Sequence, residues 1–343
     1  MSEPAAAPWF TSVLSLLSSH AIVRSIAVVA ELGVPDLLAA GPLTAGELAR
    51  RCGAHEESLF RILRALAAVG IFTQTSSPIR FGLSSLSNQL RSDVPNSLRD
   101  FARVRGGEFC WDAWRTLHQA ATTGQCAFEL AHRTDFFDYL QHHPDAASVF
   151  NHGMRSLTSQ VYDAVIRAYD FSQFRTLTDV GGGSGAFLAA VLSANPGLVG
   201  TLFDRASAIE LSGDVLRARG VLDRCRCVAG DFFEAVPAGS EAILLSRVLH
   251  DFSDRDVLRI LRNCRTALAS GGGGKLLVVE YVVTDDEEGV AAKLFDLHML
   301  AYFGAARERT REEFEQLLKQ AGFGLQRVVA TSASIALIEA GAE

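Results

Sequence analysis

A glycine-rich segment in the second half of the chain has the residue types of a ligand-binding loop. Asp179–Gly185 reads DVGGGSG and lies between the first predicted strand of the second half and an apolar helical pattern that begins at Ala186. Glycine lets the backbone turn sharply and approach a ligand with no Cβ in the way. Gly181, Gly183 and Ala186 also fit the loose dinucleotide pattern G-x-G-x-x-G/A, so this segment alone admits NAD as a ligand.

Acidic and aromatic residues follow the next two predicted strands. Asp204 lies 19 residues after Gly185, where a carboxylate can accept hydrogen bonds from both hydroxyls of a ribose. Gly230, Asp231 and Phe232 follow the third strand, and they offer an acid to an adenine amino group and an aromatic face to its ring. These three strand ends together predict an adenosyl ligand. S-adenosylmethionine (SAM) has no pyrophosphate to bind and fits this set better than NAD.

A histidine follows the fourth predicted strand. The segment SRVLHDFSD places His250 at the carboxyl edge of the sheet, beside the predicted ligand, although a lone histidine there is more often structural than catalytic. Glu280 follows the apolar run LLVV of the fifth predicted strand, and Glu308 lies in a charged run. Each acid also has a structural interpretation, as a strand terminus or as part of a solvated face.

The elements that position these residues alternate between short β-prone runs and helical stretches, which is typical of a parallel sheet with crossover helices. The last two strands have no helical segment between them, so we expect an antiparallel hairpin at one edge of the sheet. The predicted strands are Thr176–Val180, Val199–Phe203, Arg224–Val228, Ala242–Val248, Lys275–Val283, Leu325–Ala330 and Ser334–Glu339.

The first half of the chain is predicted to be mostly helical. A helix over Trp9–Ala40, a second block that begins at the capping residue Thr44, a helix over Ser58–Val69 and two β-prone pieces (71–74 and 80–83) describe a winged helix. Residues 43–90 carry five arginines and three acids, a net charge of only +2, which favours dimerisation over DNA binding. We expect a dimerisation domain over residues 1–150 and a catalytic domain over residues 151–343, joined near residues 151–172.

The composition excludes several classes of protein. The chain has 343 residues, of which 48% are hydrophobic, and its net charge of −7 disfavours binding to nucleic acid or an anionic membrane surface. No uninterrupted apolar run reaches the roughly 18 residues of a membrane span. The six cysteines are scattered and lack metal-ligand spacing, so we expect reduced thiols, no metal site and a cytoplasmic protein.

The motifs taken together resemble those of the SAM-dependent O-methyltransferases of the caffeate and acetylserotonin type. The resemblance is carried by DVGGGSG, by GDFF at 230–233, by SRVLHDFSD, by Glu280 after LLVV and by RERT at 307–310 before EEF. It extends over nearly the whole chain, because the helical first half is similar to that family's dimerisation domain. It implies a Rossmann-like methyltransferase sheet and a homodimer.

The resemblance also implies roles for individual residues. His250 matches the general base, and Glu280 and Glu308 match the two acids that flank it. Met154, Asp296 and Met299 match substrate-pocket positions. The residues that match SAM-binding positions are Gly181, Gly183, Asp204, Gly230, Asp231, Phe232, Ser246 and Arg247.

The physical chemistry of methyl transfer supports a base of this kind. A phenol has a pKa of about 10 and a histidine of about 6.5, so proton transfer between them is uphill by roughly 5 kcal/mol unless the imidazolium is stabilised. A carboxylate that accepts from Nδ1 supplies this stabilisation and leaves Nε2 free as the base. We therefore expect a metal-independent enzyme that methylates a phenolic hydroxyl of an aromatic secondary metabolite.

Other functions stay open on the sequence alone. A protein of the same fold could bind SAM and instead methylate nitrogen, decarboxylate or hydroxylate its substrate. A winged-helix regulator with SAM as its ligand is a more distant alternative. The homodimer expectation has a physical basis as well, because Val13, Leu14 and Leu17, with Ile22, Ile26 and Val29, give the first helices more apolar surface than a small domain can cover.

Overall fold

The computed structural model describes residues 12–270, 272–285 and 289–342, and within them the chain forms two compact units. The first unit runs to Thr116 and resumes over Ala131–Thr158, and the second comprises Leu117–Leu130 and the chain from Ser159 onward.

Helices dominate the part of the chain before the large sheet. The elements there are α1 (Val13–Leu17), α2 (Ser19–Glu31), α3 (Val34–Leu37), α4 (Ala45–Cys52), α5 (Glu56–Ala68), β1 (Phe72–Gln74), β2 (Phe81–Leu83), α6 (Ser85–Asn88), α7 (Arg99–Gly106), α8 (Glu108–Arg115), α9 (Leu117–Thr123), α10 (Ala127–His132), α11 (Phe136–His142) and α12 (Pro144–Ala168).

The predicted first helix is interrupted in the structure. Trp9 lies outside the described residues, and the rest of the predicted span forms α1, α2 and α3. Gly33 adopts a left-handed conformation with φ of 65°, which ends α2 and precedes Pro35, so one continuous helix cannot form. The order α4, α5 and the antiparallel hairpin β1–β2 agrees with the prediction, while the winged-helix interpretation stays a prediction.

One helical stretch has the length and apolar composition of a membrane span. It covers Val13–Glu31, with a mean hydropathy of 1.8 and 22% of its most apolar window buried. The sequence prediction rested on uninterrupted apolar residues, and polar residues such as His20 and Arg24 interrupt this stretch. Length and composition alone are weak evidence, since a helix that packs on protein passes the same test.

The second unit contains a seven-stranded sheet of order β10-β11-β7-β6-β3-β4-β5. Strands β3 to β7 pair in parallel, while β11 pairs antiparallel with both β7 and β10, so the predicted edge hairpin is confirmed. The elements are β3 (Thr176–Val180), α13 (Ala186–Ala194), β4 (Val199–Asp204), α14 (Ala206–Glu210), α15 (Ser212–Ala218), β5 (Cys225–Ala229), β6 (Ala242–Ser246), α16 (Asp254–Ala269), β7 (Lys275–Glu280), β8 (Val282–Val283), α17 (Val290–Phe303), β9 (Arg309–Thr310), α18 (Arg311–Gln320), β10 (Phe323–Ala330) and β11 (Ala336–Ala342).

The central strands are buried on both faces, which explains why β6 and β7 read as nearly continuous apolar runs. Side chains from α13 fill one core and side chains from α16 and α18 fill the other. From β3 the chain continues to β4 and β5 on one side of β3 within the sheet. It then returns to β6 and β7, which lie on the other side of β3. Ligands of such sheets bind beyond the carboxyl ends of the strands at this reversal of direction, which here lies between β3 and β6.

Two predicted strands end earlier than expected, and the difference matters for the site. β6 stops at Ser246 rather than Val248, and β7 stops at Glu280 rather than Val283. Arg247 leaves the strand because its backbone is left-handed, with φ of 56°. His250 therefore lies on a short 3-10 turn, Leu249–Asp251, rather than directly at a strand end.

Candidate active site

The glycine loop follows β3 and leads into α13. Gly181 has φ of 71°, and a Cβ there would lie 2.8 Å from Cγ2 of Val248, so a side chain is excluded on both counts. The backbone N–H of Gly183 donates to Oδ2 of Asp204 at 2.7 Å. The loop is thus hydrogen-bonded to the end of β4, and it lies close to Val248, in the segment that carries His250.

Asp204 and Phe232 lie beside this loop, as the sequence predicted. Asp204 also accepts from the backbone N–H of Arg205, at 2.6 Å. The Phe232 ring atom Cε1 lies 3.6 Å from the position of a Cβ on Gly181. Asn263, to which the sequence analysis gave no role, donates to the Phe232 carbonyl at 2.8 Å and holds this segment in place.

Gly230 and Asp231 stand at the start of the same segment. The N–H of Gly230 donates to the Asp204 carbonyl at 3.0 Å, which extends the pairing of β4 and β5. Asp231 is exposed, and its Oδ1 accepts from the N–H of Phe233 at 2.8 Å. Its second oxygen is available to a ligand.

Buried oxygen atoms near the ends of β3 and β6 fit a ligand that carries positive charge or hydrogen-bond donors. Both Oδ atoms of Asp179 and Oγ of Ser246 are buried and have no hydrogen-bond partner within the described part of the chain. Burial, together with the Asp204 carboxylate, raises the pKa of Asp179 to about 7. The ammonium and sulfonium groups of SAM are of the kind that such acceptors bind.

His250 is buried and lies between two carboxylates. Its Nδ1 is 3.0 Å from Oε2 of Glu280, and its Nε2 is 3.1 Å from Oδ1 of Asp251. Glu280 also accepts from the backbone N–H groups of Leu249 and His250, at 2.9 and 3.3 Å. The Nδ1–Glu280 contact agrees with the sequence prediction, whereas Nε2, which was predicted to be free, contacts Asp251.

The charges around the imidazole decide its protonation. Burial and the Arg247 charge lower the pKa of His250, but the Asp251 and Glu280 carboxylates outweigh them and raise it to about 10. Burial raises the pKa of Glu280, yet the His250 and Arg247 charges hold it well below its ordinary value. At neutral pH the site therefore contains an imidazolium beside an ionised Glu280.

Glu308 reaches the histidine through an arginine. Its carboxylate is buried and contacts Nη1 of Arg247, with distances of 2.9 Å to Oε1 and 3.2 Å to Oε2. The same Nη1 lies 2.9 Å from Oε2 of Glu280. The prediction that both acids flank His250 is thus met by direct contact only for Glu280. The predicted contact of Arg247 with the cofactor stays a prediction.

Arg309 holds the turn that carries His250. It is completely buried and donates to the carbonyls of Leu249 and Phe252, at 2.8 and 2.7 Å. Asp254 neutralises its charge, with an Nη2–Oδ1 distance of 2.8 Å. Sequence reasoning gave this arginine no function of its own, because no local pattern distinguishes a buried arginine from a solvated one in a charged run.

The predicted substrate residues fall in two places. Asp296 and Met299 lie on α17, where Met299 is buried and Asp296 accepts from the N–H of Glu308 at 2.9 Å. Their neighbour Phe295 stacks on Tyr281, with ring centroids 4.5 Å apart. Met154 lies on α12 within the first unit, and its part in a substrate pocket stays a prediction.

Within residues 12–270, 272–285 and 289–342, no group of three or more His, Cys, Asp or Glu side chains could hold a metal ion.

Two family models match this chain. One, described as an O-methyltransferase domain, covers residues 114–324, which include the glycine loop, His250, Glu280 and Glu308. The other, described as an O-methyltransferase dimerisation domain, covers residues 14–93. The chain belongs to the O-methyltransferase family.

Individual O-methyltransferases are similar over almost the full chain. The phenazine O-methyltransferase PhzM of Lysobacter antibioticus is 42% identical over 98% of this chain and 97% of its own length. The mitomycin biosynthesis 6-O-methyltransferase of Streptomyces lavendulae is 40% identical over 89% of this chain and 86% of its own. The crystal structure of CalO1, a methyltransferase of calicheamicin biosynthesis with S-adenosylhomocysteine (SAH) bound, superposes with a TM-score of 0.87 at 31% identity over 96% of both chains.

Some relatives act on nitrogen. The phenazine-1-carboxylate N-methyltransferase of Pseudomonas aeruginosa is 34% identical over 89% of each chain. Similarity to these proteins therefore does not show whether an oxygen or a nitrogen atom accepts the methyl group.

Proposed function

We propose that this O-methyltransferase transfers the methyl group of SAM to a phenolic hydroxyl of an aromatic secondary metabolite, with His250 as the general base. The observation that carries the proposal is the buried His250–Glu280 pair, with an Nδ1–Oε2 distance of 3.0 Å, on a turn that directly adjoins the glycine loop. Such a pair fixes the tautomer and orientation of the ring, as a serine-protease triad does.

The cofactor would lie across the carboxyl edge of β3, β4 and β5. Gly181 and Gly183 provide close backbone approach, Asp204 provides an acceptor for ribose, and Asp231 and Phe232 provide an acid and an aromatic face for adenine. SAM supplies a methyl group on a positively charged sulfur, which is activated for attack by a nucleophilic oxygen. The unpartnered carboxylate of Asp179 supports binding of a cation at this edge.

His250 would act by taking the phenolic proton at Nε2. The neighbouring Asp251 and Glu280 carboxylates raise its pKa, so proton transfer from a phenol of pKa about 10 is less uphill than the roughly 5 kcal/mol expected for an ordinary histidine. Asp251 now contacts Nε2, so the acceptor hydroxyl must displace it. Because the free ring is protonated at pH 7, the uncharged base is a small fraction that grows as the pH rises.

An aromatic acceptor is supported by the surroundings of the acids. The stacked Tyr281 and Phe295 rings lie beside Arg247, whose guanidinium is 4.8 Å from the Tyr281 ring centroid. Nitrogen methylation is the second candidate, and the relatives that act on nitrogen support it. An aromatic amine loses no proton before attack, so it needs His250 less than a phenol does.

The test uses matched pairs of acceptors. Purified protein and labelled SAM are incubated with phenols, hydroxyquinones and polyketide aromatics, and each hydroxyl compound is paired with its amino analogue. Oxygen methylation predicts turnover of hydroxyl compounds that depends on His250. Faster turnover of the amino analogues, unaffected by His250→Ala, would favour the second candidate.

The same proposal covers the assembly and setting of the protein. We propose a homodimer, in which residues 1–150 provide the interface and residues 151–343 the chemistry. Val13, Leu14 and Leu17 are 74%, 77% and 68% exposed, which supports an apolar contact there. Val29, by contrast, is fully buried in its own unit, and Ile22 and Ile26 pack against the same core, so the surface for a partner is smaller than the sequence suggested. None of the six cysteines, all of which lie within the described residues, forms a disulfide, in keeping with a cytoplasmic protein.

A further inference from the structure

Arg247 has an unusual backbone conformation at the point where β6 ends. Its φ of 56° is in the left-handed region, which costs free energy for a residue with a side chain. Its backbone N–H nevertheless donates to the Val279 carbonyl at 3.0 Å, so the strained residue is held against β7. A strained position of this kind is kept only where the surrounding structure determines it.

The guanidinium lies between two buried carboxylates. Nη1 is 2.9 Å from Oε2 of Glu280 and 2.9 Å from Oε1 of Glu308, and the Arg247 side chain is only 16% exposed. One oxygen of Glu280 accepts backbone N–H groups, and the other accepts from both His250 and Arg247. Arg247 therefore fixes the oxygen that orients the imidazole.

Five charged groups from three segments of the chain meet at this point. Glu280 faces His250 from β7, Asp251 faces it from its own turn, and Glu308 lies beyond Arg247 in the segment before β9. Without the guanidinium, three carboxylates would surround one imidazolium. An uncompensated excess of negative charge stabilises the protonated ring.

We propose that Arg247 is a positioning residue for proton transfer: its guanidinium bridges Glu280 and Glu308, orients the acid that holds His250 and offsets the negative charge around the imidazole. The Arg247 charge lowers the pKa of His250, in opposition to Asp251 and Glu280. The same charge lowers the pKa of Glu308, which burial otherwise raises. The relevance of this inference to catalysis rests on the proposed function, in which His250 is the base.

The test measures the protonation of His250 directly. The full-length protein is saturated with SAH and labelled on histidine, and the ring signal of His250 is assigned by its loss in His250→Ala and followed by NMR from pH 6 to 11. In Arg247→Met, the titration midpoint should rise by about one to three pH units, or beyond the measurable range, because a cation within contact distance is lost. Arg247→Lys should return it towards the parent value.

Two further variants keep the test independent of a folding defect. Arg224→Met removes an arginine that donates to the Leu192 and Leu198 carbonyls, remote from the histidine turn, and should leave the His250 midpoint unchanged. Glu308→Gln removes negative charge from the other side of the guanidinium and should lower the midpoint. An unchanged midpoint in both Arg247→Met and Glu308→Gln overturns the proposal, and an unfolded Arg247→Met leaves Glu308→Gln to decide it.

SAH binding distinguishes a positioning role of Arg247 from the cofactor-binding role that the sequence suggested. A positioning residue predicts SAH affinity within a few-fold of the parent in Arg247→Lys. A loss of more than tenfold in SAH affinity with an unmoved His250 midpoint would assign Arg247 to the cofactor and contradict the proposal. The titration needs no turnover, so a failure of the proposed function would appear separately, as methylation by His250→Ala at the parental rate.

Discussion

Replacing His250 by alanine should separate chemistry from cofactor binding. The change removes the Nδ1–Glu280 and Nε2–Asp251 contacts, of 3.0 and 3.1 Å, and leaves Gly183 bonded to Asp204. Glu280 keeps its bonds to Arg247 and to two backbone N–H groups, so its buried charge stays compensated. We expect SAH affinity within a few-fold of the parent and a folded protein.

The size of the loss follows from the role proposed for His250. A positioned acid–base group contributes about 10²–10⁴-fold, so a variant without it should turn over roughly 10³-fold more slowly. This corresponds to about 4 kcal/mol of transition-state stabilisation.

The decisive assay varies the acidity of the acceptor. Initial rates with labelled SAM are compared for acceptors of similar shape whose hydroxyl pKa is about 10 or about 7. The ratio of parent to His250→Ala rates should shrink from roughly 10³ to within about tenfold, because an ionised acceptor needs no base. His142→Ala, which changes an exposed histidine on α11, serves as the control. A ratio near one with the weak acid at pH 7 would refute the reasoning.

The remaining predictions concern pH, the cofactor, metal and assembly. Because base catalysis needs the uncharged ring and the pKa of His250 is raised to about 10, parental kcat/KM should increase with pH between 6 and 9; a flat profile would contradict this. Asp204→Ala should weaken SAM binding by about 1.5–3 kcal/mol in calorimetric titration, with Asp214→Ala as the exposed control; equal affinities would mean that the ribose binds elsewhere. Activity should persist in excess EDTA, and loss in EDTA with rescue by Mg²⁺ would exclude the mechanism. Light scattering should give a dimeric mass that Leu14→Glu with Leu17→Glu reduces to the monomer, whereas a monomeric parent would disprove the interface.

Much of the second unit could be predicted because its signals are local. A buried parallel strand such as β6 is a short apolar run, and the glycine loop after β3 is a contiguous motif. The absence of a helical segment between β10 and β11 was enough to predict their antiparallel hairpin. The interruption at Gly33 is also local, but the apolar helical spacing on both sides of it concealed the break.

The contacts that set the charge of His250 could not be predicted in the same way. Glu280 lies 33 positions and Glu308 lies 61 positions after Arg247 in the chain, yet the Arg247 guanidinium contacts both acids. Nothing in the sequence reveals that Arg247 is left-handed after β6 or that its guanidinium bridges two acids. Arg309 reads as part of a charged run, although it is the completely buried donor to the histidine turn.

By itself the sequence determined the sheet, the loop and which residues stand at the carboxyl ends of its strands, because apolar period and glycine spacing depend only on neighbours in the chain. Tertiary structure alone decided which charges meet. Three sets of contacts depend on how the ends of β6, β7 and β9 converge. They are the contact of Asp251 with Nε2 of His250, the bridge of Arg247 between Glu280 and Glu308, and the hydrogen bond from Arg309 to the histidine turn. Coulombic interaction varies with distance in space and with burial, neither of which is written in the order of residues.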